Sequence, residues 1–368
     1  MSSAVYFANI RSRTPKDNKV TKLQRLFDAA QFGEIVAKND LVALKVHFGE
    51  KGSDAYINPV FIRQIVDKVK TRGGKPFVTD TNTLYSGSRF NAVDHIQTAI
   101  EHGFDYAVIN APILIADGLK SQSICEVAIK SKHFDVVKVA SDIVKADSMI
   151  VISHFKGHEL SGFGGAIKNL AMGCAPAAGK KDQHQPGIFV IEKKCISCGK
   201  CIEICPVNAI GMRQEKARIN REICTGCAEC MHFCQAHAIE FDWETKLTPF
   251  MERMTEYAQG VLQCKKGKIG FINVLLNIVP DCDCMPLSDA AIVPDIGILA
   301  SMDPIALDKA SYDLVNKQSG NRQSHLKSNF KPGEDKFKGV WGKTDSLIQI
   351  NYGEALGMGS SHYNLIEV

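Results

Sequence analysis

Eight cysteines between Cys195 and Cys234 limit what this chain can be more than any other feature. They form two runs, CISCGKCIEICP and CTGCAECMHFCQ, each spaced C-x-x-C-x-x-C-x-x-x-C. Cys195, Cys198, Cys201 and Cys205 map onto Cys224, Cys227, Cys230 and Cys234, an offset of 29 residues that also carries Ala209-Ile210 onto Ala238-Ile239. Two copies of one short unit, neither able to bury its own face, imply a small pseudo-two-fold domain.

This spacing is the bacterial ferredoxin run, in which the fourth cysteine serves the other cluster. A tight loop aims three thiolates and several backbone N–H groups at one cubane, and the fourth thiolate faces away. One 4Fe-4S cluster would take Cys195, Cys198, Cys201 and Cys234. The second would take Cys224, Cys227, Cys230 and Cys205. A pair of zinc sites is the competing reading, but zinc pairs use two C-x-x-C units rather than this doubled run. Pro206 follows the first run as in ferredoxins, whereas Gln235 stands in the second, so the turn after Cys234 is expected to be looser. Residues 188–244 carry nearly balanced charge, unlike acidic free-standing electron carriers, which suits a module fixed to its own domain.

Eight of the thirteen cysteines in this chain of 368 residues stand at metal-ligand spacing, which reads as metal binding in a reducing compartment, not as a disulfide framework. The formal charge of +4 is too weak to argue for nucleic acid or a membrane surface. Two clusters of about −2 each would bring it near zero. The N-terminal residues lack an apolar signal core, and the longest uncharged apolar run, Ile269 to Pro280, is too short for a bilayer. A cytoplasmic protein is expected.

Outside the cysteine segment, strand-like and helix-like stretches alternate. Leu41 to Phe48 is an apolar β-rich run. Phe61, Ile62, Ile65, Val66 and Val69 recur at helical spacing between Pro59 and Gly73. PFVTDT, DYAVIN, KADSMIVIS, KIGFINVLL and AAIVPDIGILAS read as strands. NAVDHIQTAIEHG, TPFMERMTEYAQGVLQC and DPIALDKASYDLVNKQSG read as helices. The expected fold class is α/β: a mostly parallel sheet covered by helices, with a small α+β ferredoxin-like insert. The expected domains are 1–187 with 245–368, and the insert 188–244. Residues 319–345, polar and Gly-rich, read as a long surface loop.

Four segments carry more polar and glycine residues than a sheet edge needs. HFKGHELSGFGGAIKNLAMG, His154 to Gly173, follows a buried strand, where open α/β sheets place ligands. Gly162, Gly164 and Gly165 would let backbone N–H groups approach an anionic cofactor, with Lys168 adding charge. The alternative is a Gly-rich turn with two surface histidines. Cys282 and Cys284 flank Asp283 after another strand. They either chelate a possible additional metal ion, with His154 and His158 as partners, or are buried thiols. Lys45 and His47 share one strand face, and Thr79-Asp80-Thr81-Asn82 ends another strand. Lys45, His47 and Lys168 are the catalytic candidates. Asp303 before Pro304 reads as a helix N-cap. Cys125, Cys174 and Cys264 read as packing residues. No G-x-G-x-x-G, P-loop or nucleophile elbow is present, so a dinucleotide or ATP site is not expected.

KVHFGEKG, HFKGHELSGFGGAIKNLAMG, PDCDC and ASMDPIALDKASYDLV together resemble the domain-of-unknown-function 362 family, many of whose members carry a double-cluster ferredoxin segment. The resemblance covers essentially the whole chain and implies iron–sulfur binding with a shared α/β domain, without a settled reaction. His154, Ser161-Gly162, Gly164-Gly165 and Lys168 also resemble, in part, the H…SGG…K pattern of the nickel-pincer lactate racemases, although Phe163 interrupts it. Three functions are therefore expected to compete. The first is a ferredoxin-linked oxidoreductase whose clusters relay electrons to a pocket in the α/β domain, with a redox protein or small molecule as partner. The second is a non-enzymatic carrier of electrons, clusters or metal. The third is a pincer-type hydride-transfer enzyme.

Overall fold

The computed structural model describes residues 2–184, 187–224, 229–242 and 247–368. The chain divides into two compact units, one of residues 1–180 with 247–368 and one of residues 181–246.

In chain order the strands are β1 (Ser3–Asn9), β2 (Leu41–Lys45), β3 (Lys75–Asp80), β4 (Ile113–Ile115), β5 (Ile124–Ala128), β6 (Val136–Ala140), β7 (Ser148–His154), β8 (Lys156–His158), β9 (Gly162–Gly164), β10 (Gly187–Val190), β11 (Ile210–Arg213), β12 (Lys216–Ile219), β13 (Ile239–Asp242), β14 (Ile269–Leu275), β15 (Gly297–Ser301) and β16 (Tyr363–Glu367).

The larger unit is built on an eight-stranded sheet of order β16-β1-β15-β14-β7-β2-β3-β4. Only β15 runs against its neighbours, so the sheet is mostly parallel and the fold is α/β. β7 and β14 are buried along their whole length, the continuous apolar pattern of a parallel strand covered on both faces. Helices Ala166–Cys174, Leu247–Lys265 and Pro304–Asn316 contribute to the core on one face, and Lys19–Ala29 and Pro59–Thr71 to the core on the other. Helix Pro59–Thr71 starts as its sequence says it should. Asn58 accepts from Val60 N, and Pro59 occupies the first turn, where its missing N–H is harmless. Asp303 caps helix Pro304–Asn316 in the same way, accepting from Ile305 N and Ala306 N.

Three expectations differ from the structure. DYAVIN is a helical turn, Tyr106–Ile109, because Asp105 caps it through Ala107 N and Asn110 ends it at φ 58°. The strand from Leu41 stops at Lys45, where the chain turns to deliver polar side chains. Residues 319–345 are not simply a surface loop. They contain helix Lys336–Val340, whose Lys336 and Phe337 are fully buried. Lys336 Nζ donates to Lys331 O and Glu334 O, so it closes the segment on itself.

The smaller unit repeats itself at the offset of the cysteine runs. β10 maps onto β12, β11 onto β13, and helix Lys200–Glu203 onto helix Glu229–His232. Pairing crosses between copies: β10 pairs with β13, and β12 with β11, both antiparallel. Each copy therefore completes the other's sheet.

Candidate functional site

In the smaller unit, one cavity gathers Cys195, Cys198, Cys201 and Cys234, closed by apolar neighbours such as Ala217 and Ile239. Three of these thiols come from the first run and the fourth from the second. Backbone groups face the sulfurs. Ala217 and Ser197 N–H groups hydrogen-bond Cys195 and, against a small opposing effect of burial, lower its thiol below the ordinary value. Ala209 N donates to Cys205 Sγ and Ala238 N to Cys234 Sγ, both at 3.2 Å, one bond in each repeat. Such donors stabilise sulfur anions. Cys201 is raised by burial and by the charges of Cys198, Cys234 and Cys195 around it, which is the signature of thiolates converging without their counter-charge. The residues present therefore fit an iron–sulfur cluster at this cavity. Cys224 and Cys230 belong to the second expected set, and Cys227 lies outside the described residues.

In the larger unit, β14, β7, β2 and β3 lie side by side with their carboxyl ends on one edge, and a dense polar centre sits there. Lys45 is fully buried. Its Nζ meets Asp80 Oδ1 at 2.9 Å, Asn169 Oδ1 at 2.7 Å and Val46 O at 2.9 Å. Burial works against the charge on Asp80, yet Lys45 and the groups around it hold its carboxyl below the usual range. Arg89 joins the neighbours: Nε to Glu50 at 3.1 Å, Nη2 to the Tyr85 hydroxyl at 2.7 Å, and Nη1 beside His47 Nε2 at 3.1 Å. Burial, assisted by Arg89, pushes His47 well down, so its ring is neutral. Deeper in, His95 is fully buried, and neither ring nitrogen has a hydrogen-bond partner. Burial lowers it to about 3. Lys180 Nζ reaches Thr81 Oγ1 at 2.5 Å and Ala175 O at 2.6 Å, and burial lowers it to about 8 despite Asp117 and Asp80.

The C-D-C segment closes this edge. Asp283 is buried between His154 Nδ1 at 2.9 Å and Lys156 Nζ at 2.8 Å. Burial opposes its charge, but His154 and Lys156 hold the carboxyl well below the usual range. Lys168 Nζ lies 3.2 Å from Cys282 Sγ. Cys282 and Cys284 act on each other's acidity, and Cys282 is the more acidic of the two. Cys284 lowers it well below an ordinary thiol against burial, with Lys168 adding its charge, whereas Cys284 itself is raised well above.

These contacts bear on two expectations. His154 and His158, expected to join Cys282 and Cys284 at a third metal site, are engaged by other partners. Both His154 nitrogens face oxygen acceptors, Asp283 on one side and Leu276 O and Asn277 O on the other. His158 Nδ1 accepts from Leu160 N and Ser161 N. Among the described residues no group of three His, Cys, Asp or Glu side chains is arranged to hold a single ion. The anion cradle expected of Gly162, Gly164 and Gly165 is filled from within. The Asp308 carboxylate accepts from Ala166 N at 2.8 Å and Ile167 N at 2.9 Å, occupying the helix N-terminus an external anion would use. A Cβ at Gly165 would strike Asp308, one at Gly162 would strike Ser346, and one at Gly164 would press on Lys168. These glycines make room for the chain's own side chains.

Of the catalytic candidates, Lys168 joins the C-D-C thiols, Lys45 is locked into Asp80, and His47 sits against Arg89. Sequence reasoning missed Arg89, Tyr85, His95, Lys156 and Lys180. Lys156 stood inside HFKGH, between two histidines already singled out, and was the one with a visible signal.

Fold and site together define an α/β protein that carries a compact, ferredoxin-like cysteine unit. The chain belongs to the family described as Domain of unknown function (DUF362), whose profile matches residues 42–313. An uncharacterized polyferredoxin-like protein of Methanocaldococcus jannaschii is 87% identical over 23 residues, 6% of this chain and 14% of that protein. Two solved structures are similar. The lactate racemase apoprotein from Thermoanaerobacterium thermosaccharolyticum has 12% identity and a TM-score of 0.37, over 75% of this chain and 51% of that chain. A structural-genomics protein from Thermotoga maritima has 7% identity and a TM-score of 0.38, over 72% and 52%. The chain spans about half the length of these structures, and at such scores the likeness carries no functional argument. Among the described residues no helix is long and apolar enough to cross a membrane.

Proposed function

We propose that the chain is an iron–sulfur redox protein, a ferredoxin-linked oxidoreductase of the cytoplasm. Cys195, Cys198, Cys201 and Cys234 hold one 4Fe-4S cluster, and Cys224, Cys227, Cys230 and Cys205 a second. Such clusters supply a one-electron couple. The chain's own part is to set that couple. Thiolates supply negative charge, N–H groups of Ala217, Ser197, Ala209 and Ala238 offset it, and apolar walls exclude water. Electrons then pass to or from the polar centre of the larger unit, where a redox partner's substrate or a small molecule reacts.

The observation that carries the reading is the cavity shared by three thiols of one repeat and the fourth of the other. That is the crossed pattern of double-cluster ferredoxins, and a zinc pair built from two local C-x-x-C units has no use for it. The test is electron paramagnetic resonance on anaerobic, dithionite-reduced protein. Wild type is expected to show two interacting reduced clusters. Cys234→Ser is expected to disturb the cluster of the first run while the other keeps its signal. A spectrum altered only at the second run would overturn the assignment.

A further inference from the structure

The geometry of the C-D-C segment is tightly fixed. Met285 N donates to Cys282 O at 2.9 Å, closing a β-turn with Cys282 first and Cys284 third. Each peptide in the turn is pinned from outside: Glu50 N donates to Asp283 O at 2.8 Å, and the Tyr85 hydroxyl to Cys284 O at 2.9 Å. The Asp283 side chain is clamped by His154 and Lys156. The turn brings the two cysteines closer than the ~7 Å of extended chain, into the Cα range of roughly 4.4–6.8 Å that a disulfide spans. Lys168 Nζ stands 3.2 Å from Cys282 Sγ. The two residues differ in access, since Cys282 is buried and Cys284 is partly exposed. Two thiols side by side, one paired with an ammonium and the other reachable, make a dithiol centre rather than two packing residues.

We propose that Cys282 and Cys284 form a dithiol–disulfide couple that exchanges with a disulfide substrate at Cys284. The steps balance as follows. Cys284 passes its proton to the Cys282 sulfur and attacks one sulfur of the substrate disulfide. A Cys284–substrate bond forms, the substrate's S–S bond breaks, and one substrate thiolate leaves. Cys282 gives its proton to that leaving group and attacks the Cys284 sulfur. The Cys282–Cys284 bond forms, and the second substrate thiolate departs. The substrate has gained two electrons, and the dithiol has lost them. A dithiol reductant reverses the sequence, entering at the partly exposed Cys284 and expelling Cys282. Lys168 is the positioning residue: it stabilises Cys282 as the leaving thiolate, and lower-pKa thiols leave faster. The proposal does not depend on the iron–sulfur reading, and iron content is measured on the same samples to keep the two apart.

The experiment uses the full anaerobic chain. Reduced protein is exposed to oxidised glutathione in one arm and to insulin, a protein disulfide, in the other. Samples are quenched, alkylated and digested, and the peptide spanning Cys282 and Cys284 is weighed. The expected product is an unalkylated peptide lighter by two hydrogens. Cys282→Ser is expected to stall as a substrate adduct on Cys284, and Cys284→Ser to give neither adduct nor disulfide. Lys168→Met is expected to shift the alkylation profile of Cys282 to higher pH. Opening of the disulfide by dithiothreitol should slow about tenfold, because the leaving thiol is then a weaker acid. Reaction with glutathione alone identifies a small-molecule disulfide, and with insulin alone a protein disulfide. Full alkylation of both wild-type cysteines after both oxidants would overturn the proposal. So would a stall on Cys282 in the Cys284→Ser variant.

Discussion

At the residue scale, Asp283 is the group on which the polar centre turns. It is buried, lies between His154 and Lys156, and its main chain holds Glu50 N. Removing one member of a buried charged set strands the rest. Asp283→Asn is expected to cost about 3–5 kcal/mol, read as a lower urea midpoint at pH 7. The sign with pH follows from its depressed carboxyl. The contribution is fully present above the unfolded carboxylate value of roughly 3.9 and is lost as pH falls through the folded value. Wild type should therefore lose this stability on acidification below about pH 4, and the Asn variant should show a flatter acid limb. Equal acid limbs in the two proteins would show that Asp283 does not carry the charge assigned to it. The sequence expected the C-D-C segment to meet His154 at the strand ends, but not that Lys156 would join them. Asp283 meets His154 and Lys156 across more than 120 positions of chain, and Arg89 meets Glu50 across 39. Only the fold brings such pairs together. The cysteine runs are the opposite case. Their ligand spacing is local, so the sequence alone proposes which thiols group, down to Cys234 joining the first three.

At the element scale, helix Ala166–Cys174 depends on a side chain from another helix. Asp308 accepts from Ala166 N, Ile167 N and Asn273 Nδ2, and all three donors are buried with it. Asp308→Ala would orphan them. A loss of about 3 kcal/mol or more is expected, since each stranded buried donor costs ~1–3 kcal/mol. Hydrogen exchange should show helix Ala166–Cys174 losing protection first. Loss spread evenly over the sheet would place the role of Asp308 elsewhere. This element also explains why the Gly-rich segment misled as a ligand loop. Glycines that admit an anion and glycines that admit a neighbouring carboxylate look alike in one sequence. The strands were legible because β7 and β14 are continuous apolar runs. DYAVIN was not, because one Asp at the N-cap outweighs its β-branched residues.

At the scale of the whole molecule, the smaller unit closes on itself. β10 and β13 pair across its ends, and the two repeats exchange strands within it. Replacing residues 188–244 by a short Gly/Ser linker is therefore expected to leave a folded, cluster-free α/β protein. Circular dichroism and hydrogen exchange check this, and an unfolded product would mean that the units share a core. The central claim is that the doubled cysteine run holds two iron–sulfur cubanes. The direct measurement is iron, acid-labile sulfide and zinc per chain in protein purified or reconstituted anaerobically. The account predicts about eight iron and eight sulfide, with no stoichiometric zinc. Zinc at one or two per chain, with no sulfide, would contradict it.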